Sequence, residues 1–114
     1  MEQFLWQTLL YDFYGELLTE RQRSIYEAVV QNDLSYSEAA EEFGISRQGV
    51  HELVRRCNRI LDGYESRLHL VERFLQIREN VHQIQTLASQ AGSMDKEALA
   101  AGVRELSAKI LEEL

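Results

Sequence analysis

Apolar residues recur at intervals of three and four along most of this chain, and no segment alternates in the manner of a β-strand. The first such stripe consists of Trp6, Leu9, Leu10, Phe13, Tyr14 and Leu17. This period is that of an amphipathic α-helix with one buried face. We therefore predict an all-α fold whose first helix covers about residues 2–14 and ends at Gly15.

Polar residues at fixed spacings divide the next segment into short capped helices. Two pairs have the spacing of a capping box: Thr19 with Gln22, and Ser35 with Glu38. Gly44 permits the positive φ of a tight turn, and Ser46 is a suitable N-cap for the helix after it. Residues 34–61 therefore predict a helix-turn-helix in which the third helix ends near Phe43.

The helix that begins after Ser46 has two chemically different sides when its residues are placed about 100° apart. One side is apolar: Val50, Leu53, Val54, Cys57, Ile60 and Leu61. The other side is basic and amide-rich: Arg47, Gln48, His51, Arg55, Asn58 and Arg59. A recognition helix needs this division, since its back packs on other helices while its front meets nucleic acid. The predicted nucleic-acid-binding residues are Ser46, Arg47, Gln48, His51, Arg55 and Arg59.

The same pattern also fits an ordinary helix whose charged side is only solvated, which is its commoner use. The capped helix before it and the glycine turn favour nucleic acid. If the helix binds nucleic acid, Arg would pair with guanine and Gln with adenine, while Ser46 and the helix N-terminus would hold a phosphate. Gly49 counts against a stiff unit, because glycine inside a helix costs about 1 kcal/mol relative to alanine.

The apolar seam continues beyond Leu61 with a period near 3.5 residues, through Tyr64, Leu68, Val71, Leu75, Ile77, Val81, Ile84 and Ala88. It predicts a long helix over about residues 47–90, kinked near Gly63. Three partners fit the seam: the last helix, the first helix, or a second copy in a homodimer. Residues 91–93 read as a linker, with Ser93 capping a final helix.

The predicted domain organisation has two parts in one cooperative unit. Residues 1–62 form the helix-turn-helix domain, and residues 63–114 form a helical extension. All four bases of residues 35–62 follow the turn, in a chain of formal charge −7. Nucleic-acid contact must therefore be local to one helix of an acidic body.

Several classes of protein are disfavoured by the sequence. No apolar run approaches the ~18 residues of a membrane span, and no signal peptide is recognisable. The single cysteine, Cys57, fits a reducing compartment, so we predict a cytoplasmic protein. The histidines lack metal-binding spacing, and Cys57 lies on an apolar helix side. We expect no enzyme, cofactor or metal site.

Residues 34–61 resemble the helix-turn-helix of bacterial sigma-factor region 4. Three longer segments, DFYGELLTERQ at 12–22, DLSYSEAAEEFGISRQGVHELVRR at 33–56 and LDGYESRL at 61–68, resemble the YlxM-like family of helix-turn-helix proteins. The resemblance covers about residues 5–75, and SRQGVH is its most specific part. Gly49 and Ala39 stand where alanine and a larger aliphatic residue are expected.

This resemblance implies a cytoplasmic regulator of the signal recognition particle pathway, encoded near the gene of the particle's GTPase and acting through the particle's RNA. A DNA-binding transcriptional regulator is a second possibility, since the major groove of B-DNA admits a helix and that of A-form RNA does not. A third hypothesis is a protein-interaction adaptor, whose acidic body docks on a basic partner such as the targeting GTPase.

Overall fold

The computed structural model describes residues 3–114, with side chains from residue 5 onward. Within that range the chain forms six α-helices and no β-strand, which confirms the all-α prediction. They are α1 (Gln3–Tyr14), α2 (Glu20–Val30), α3 (Tyr36–Phe43), α4 (Arg47–Leu68), α5 (Leu70–Ser89) and α6 (Lys96–Glu113). Glu2, the expected first helical residue, lies outside the described residues. None of these helices combines the length and apolarity needed to cross a membrane.

The helices belong to two compact units, Met1–His69 and Leu70–Leu114. The hydrophobic pattern placed the boundary after residue 62. Helix α4 ends at Leu68 because His69 adopts a left-handed backbone conformation, with φ of 56° and ψ of 27°. The prediction of one helix over residues 47–90, kinked near Gly63, is therefore wrong, since Gly63 lies inside α4. Whether the two units unfold cooperatively stays a prediction.

Helix α4 is the centre of the first unit, where it packs against α1, α2 and α3. Most of its predicted apolar side is buried, since Val50, Cys57 and Leu61 are 0% exposed, whereas Leu53 and Ile60 are half-buried. The facing helices bury Leu10, Tyr14, Ile25, Tyr26 and Ala39. Burial of a large apolar side chain stabilises a fold by roughly 1.5–3 kcal/mol. Removal of this side of α4 from water is therefore the main force that assembles the unit.

The predicted helix boundaries before α4 are confirmed by their hydrogen bonds. In both capping boxes the hydroxyl accepts from the third helical N–H and the side chain of that residue accepts from the cap N–H. The bond from the Ser35 N–H lowers the pKa of the Glu38 carboxyl. Gly44 ends α3 with φ of 68°, and the Ser46 hydroxyl oxygen accepts from the Gly49 N–H at 2.9 Å. These signals depend on residues close in sequence, which is why they could be recognised there.

The apolar stripe of α1 differs from the prediction at its end. Phe13 is 37% exposed and Leu17 is 56% exposed, whereas Leu18, which the stripe did not include, is only 6% exposed. Gly15 begins a 3-10 turn over Gly15–Leu17, which has a shorter period than the α-helix. The change of period rotates Leu17 outward and brings Leu18 into the core.

In the second unit α5 packs against α6, so the last helix is one partner of the predicted seam. The two helices approach closely at Gly102, where an added Cβ would lie 2.7 Å from Leu87 Cδ1. Ser93 is not the cap of α6, contrary to the prediction. It belongs to a 3-10 turn over Ala91–Ser93 and donates to the Gln90 carbonyl, while Asp95 caps α6 by accepting from the Ala98 N–H at 2.7 Å.

Two glycine substitutions test the backbone of the first unit. An added Cβ would meet no atom within 4 Å at Gly44 or Gly63, so only the backbone conformation distinguishes the two positions. Gly44→Ala should lower the free energy of unfolding by about 1–2 kcal/mol, because alanine resists positive φ. Gly63→Ala should raise it by up to about 1 kcal/mol, because alanine favours a helix interior. Urea unfolding followed by circular dichroism measures both, and a neutral Gly44→Ala would contradict the left-handed turn.

Candidate nucleic-acid interface

The polar side of α4 is positioned by α3 and the turn before it. Ala39 on α3 is 0% exposed, and its small side chain allows α3 and α4 to cross closely. Gly44 reverses the chain, and α4 begins with Arg47 immediately after the Ser46 cap. The first turns of α4 therefore stand at the edge of the helix-turn-helix, with their polar residues exposed or half-buried.

Tyrosine hydroxyls attach the middle and end of α4 to the helices behind it. Tyr26 donates to Asn58 Oδ1 at 2.7 Å, and Tyr14 donates to Glu65 Oε1 at 2.6 Å. Burial raises the pKa of Tyr26 to about 12, with smaller contributions from nearby Cys57 and Asp62. The Tyr26 hydroxyl is therefore protonated at neutral pH and available as a donor.

Asn58 is consequently not part of the front of α4, although the helical projection placed it there. Its amide oxygen is engaged by Tyr26, and the side chain is half-buried. Glu65 is another polar residue that the sequence did not identify as buried, at 7% exposure. At about 100° per residue both lie within about 20° of Arg47 around the helix axis, so they anchor α4 further along the helix than the candidate interface rather than behind it.

One groove brings together three of the six predicted site residues. Arg47, Gln48 and His51 line it on α4, and Tyr36 completes it from α3. The Tyr36 and His51 rings meet edge to face, with centroids 5.4 Å apart and planes 70° apart. Tyr36 was missed in the sequence because its contribution depends on the crossing of α3 and α4. An aromatic residue directly after a helix cap was the only signal for it.

The other predicted residues lie at different points of α4. Arg55 is exposed further along the helix, and Ser46 is engaged as the N-cap. Arg59 lies about 18 Å along the axis from Arg47. It lines a separate groove with Ile60, Gly63, Tyr64 and Arg67. The structure therefore does not bring Arg59 to the groove that holds Arg47.

An acidic residue interrupts the basic front. The Gln48 amide nitrogen donates to Glu52 Oε1 at 3.2 Å, one helical turn further on. Glu52 is exposed, so its carboxylate stands among the arginines without closing over them. A phosphate would be repelled there, whereas an exocyclic amine of a base would find an acceptor. The front is therefore chemically mixed, unlike a uniformly basic patch.

The arginines of α4 are not neutralised by neighbouring carboxylates. Within residues 3–114, Arg47, Arg55, Arg56 and Arg59 form no ion pair, although acids outnumber bases in the chain. Their guanidinium groups remain available for an anionic ligand. Cys57, in contrast, is fully buried, and burial raises its pKa to about 11, which keeps the thiol protonated and unreactive at neutral pH.

Comparison with known proteins agrees with this architecture. The sequence model of the family UPF0122, described as "Putative helix-turn-helix protein, YlxM / p13 like", matches residues 1–100. The chain belongs to this family. UPF0122 membership confirms the YlxM-like resemblance and the prediction of a helix-turn-helix protein.

Individual UPF0122 proteins match over most of their length. That of Symbiobacterium thermophilum is 41% identical over 100 residues, which cover 88% of each chain. That of Caldanaerobacter subterraneus subsp. tengcongensis is 43% identical over 83 residues, covering 73% of this chain and 71% of the relative. That of Acetivibrio thermocellus is 43% identical over 84 residues, covering 74% and 72% respectively.

The anchoring of α4 can be tested by removing one hydroxyl. Tyr26→Phe keeps the buried ring but leaves Asn58 Oδ1 without its donor, so the free energy of unfolding should fall by about 1–3 kcal/mol. Tyr64→Phe is the matched control, since its hydroxyl forms no hydrogen bond within the described residues and its ring contact with Tyr14 would persist. Chemical denaturation measures both, and equal effects would contradict an anchoring role for Tyr26.

Proposed function

We propose that this protein is a nucleic-acid-binding regulator that presents the start of α4 to its ligand. The observation that carries the proposal is the shared groove of Arg47, Gln48 and His51, completed by Tyr36. It combines a free guanidinium, an amide and two aromatic rings on one exposed edge. These groups are suited to hydrogen bonding with base edges, to phosphate contact and to stacking.

Each residue has a distinct role in this proposal. Arg47 and Arg55 contact guanine edges or phosphates, Gln48 reads adenine, and the Ser46 hydroxyl donates to a phosphate. His51 is held against Tyr36 and supplies a flat surface at the groove wall. Arg59, further along α4, contributes a phosphate contact. Binding of this kind weakens as salt is added. For a B-DNA ligand, the logarithm of the binding constant falls against the logarithm of the salt concentration with a slope of about 0.9 for each phosphate that the protein neutralises.

We further propose that the protein acts in the cytoplasm, in the protein-targeting pathway of the signal recognition particle. The support for this step is the YlxM-like resemblance of the segments at 12–22, 33–56 and 61–68. The particle's RNA and DNA are both candidate ligands. Sequencing the nucleic acid that co-purifies with the protein distinguishes them.

The recognition role can be tested by charge removal on α4. Arg47→Ala and Arg55→Ala should each weaken nucleic-acid binding by about 1–3 kcal/mol if they contact bases. Arg104→Ala is the control, because Arg104 is an exposed arginine of α6 in the second unit. Fluorescence anisotropy with the co-purifying nucleic acid measures all three. Unchanged binding by the Arg47→Ala, Arg55→Ala double variant would exclude α4 as the recognition helix.

A second candidate function is a protein-interaction adaptor. The observation that favours it is the apolar surface of the second unit, where Val81 is 42%, Val103 42% and Leu111 71% exposed. Such residues suit a homodimer or a docking site on the targeting GTPase. These residues belong to the second unit and the residues proposed for nucleic acid belong to the first, so no residue is required by both functions.

Sedimentation at micromolar concentration tests this second candidate. We expect the mass of a homodimer, reduced to that of a monomer by Val103→Glu but not by Lys96→Glu, an exposed position of the same helix. A monomeric mass for the wild-type protein would contradict the proposed homodimer. A pull-down of the targeting GTPase with this protein, treated with nuclease, tests the adaptor. Retention of the GTPase would support the adaptor function, and its loss would show that nucleic acid bridges the two proteins.

A further inference from the structure

A second basic groove lies beside α4, between that helix and the start of α2. Its volume is about 290 Å³, and its polar groups come from Arg21 and Gln22 of α2, from Arg56 and Glu52 of α4, and from Thr19, so that two guanidinium groups stand against one carboxylate. Gly49 also lines it, and an added Cβ there would lie 3.1 Å from Ser46 Oγ. The absence of a side chain at Gly49 therefore keeps the groove open and the cap undisturbed.

The two arginines of this groove are not explained by the stability of the first unit. Both are exposed, and neither forms an ion pair within residues 3–114. Arg21 lies in the first turn of α2, where a positive charge opposes the helix dipole. Two guanidinium groups on different helices thus face one cavity with no intramolecular partner that would account for them.

The second groove and the Tyr36 groove lie on opposite flanks of α4. His51 and Arg56 are five residues apart, which places them about 140° apart around the helix axis. The exposed ridge between them carries Gln48, Glu52 and Arg55. An α-helix with its side chains is about 10–12 Å across, close to the ~12 Å width of the major groove of B-DNA, whose two rims are phosphate backbones.

We propose that the Arg21–Arg56 groove binds a backbone phosphate of one strand while Arg47 engages the opposite strand, so that the ligand is double-stranded DNA read across its major groove. This inference rests on the proposed function and names its ligand. A single strand offers one backbone and cannot occupy both flanks. A-form RNA has a major groove too deep and narrow for the ridge of α4 to enter between its strands.

The test uses the full chain and three fluorescent probes: a DNA duplex of about twenty base pairs, the RNA duplex of the same sequence, and the single DNA strand. Anisotropy titrations over a range of salt concentrations are made for wild type, Arg21→Gln, Arg56→Gln and the double variant. Arg47→Gln tests the contribution of the exposed polar side of α4, and Arg104→Gln measures the effect of losing one positive charge elsewhere in the protein. Circular dichroism verifies that each variant is folded.

We expect each single flank variant to weaken binding of the DNA duplex about three- to tenfold, and the flank double variant to lower the salt slope by about 0.9, which corresponds to the one phosphate held in the groove. Binding of the RNA duplex and the single strand should change no more than with Arg104→Gln. A flank double variant that matches Arg104→Gln on the DNA duplex overturns the inference. An equal loss on RNA or on the single strand overturns it as well.

Failure of the proposed function has a different signature. If wild type binds none of the probes, or if Arg47→Gln changes nothing, nucleic-acid recognition by α4 itself is wrong. If Arg47→Gln weakens binding and the flank variants do not, only the second phosphate site is wrong. The two results are therefore distinguishable in one set of titrations.

Discussion

The first unit depends on one constraint: α4 must be buried along one side while the opposite side stays in water. Val50, Cys57 and Leu61 supply the apolar burial. Apolar contacts are non-directional, so they would tolerate some rotation of the helix about its axis. The hydrogen bonds from Tyr26 to Asn58 and from Tyr14 to Glu65 are directional, and both hold α4 beyond its candidate interface, in the middle and near the end of the helix. A rotation by one residue position would break both bonds and turn Arg47 and His51 away from the groove. The orientation of the candidate interface is therefore set by contacts that lie further along the same helix.

Features that depend on neighbouring residues were predictable from the sequence, and those that depend on distant contacts were not. Both capping boxes and the turn at Gly44 are encoded within four residues, and the structure has them where the sequence indicated. The break at His69 has no such signal, because a histidine in the left-handed region looks like any other helical residue in the hydrophobic pattern. The same pattern continues through α5, so the seam predicted one helix where there are two. The cap of α6 was misplaced for a related reason: Ser93 and Asp95 are both suitable N-caps, and the 3-10 turn decides between them.

The candidate interface divides in the same way. The helical projection correctly placed Arg47, Gln48 and His51 on one side of α4, because that arrangement follows from the period of the helix alone. It could not show that Tyr36 completes their groove, or that Arg21 reaches a groove with Arg56, since both depend on how α2 and α3 cross α4. Asn58 shows the opposite error: a projection cannot tell whether a polar side chain meets water or a buried hydroxyl.

The charge distribution makes the fit of the ligand more important than attraction at a distance. The chain carries a net charge of −7, yet the arginines of α4 have no carboxylate partners within the described residues. At physiological ionic strength charges are screened beyond about 8 Å, so the acidic body repels a polyanion only on close approach, where the arginines act as well. Rising salt would weaken that repulsion and the phosphate contacts together.

A ligand that touches one flank of α4 gains one or two contacts against this repulsion, whereas one that spans both flanks gains contacts from Arg21, Arg47 and Arg56 at once. Glu52, placed between the flanks, would further penalise any ligand that lays a phosphate along the ridge. An acidic protein with so few exposed arginines on its recognition helix can therefore be selective without being strongly basic.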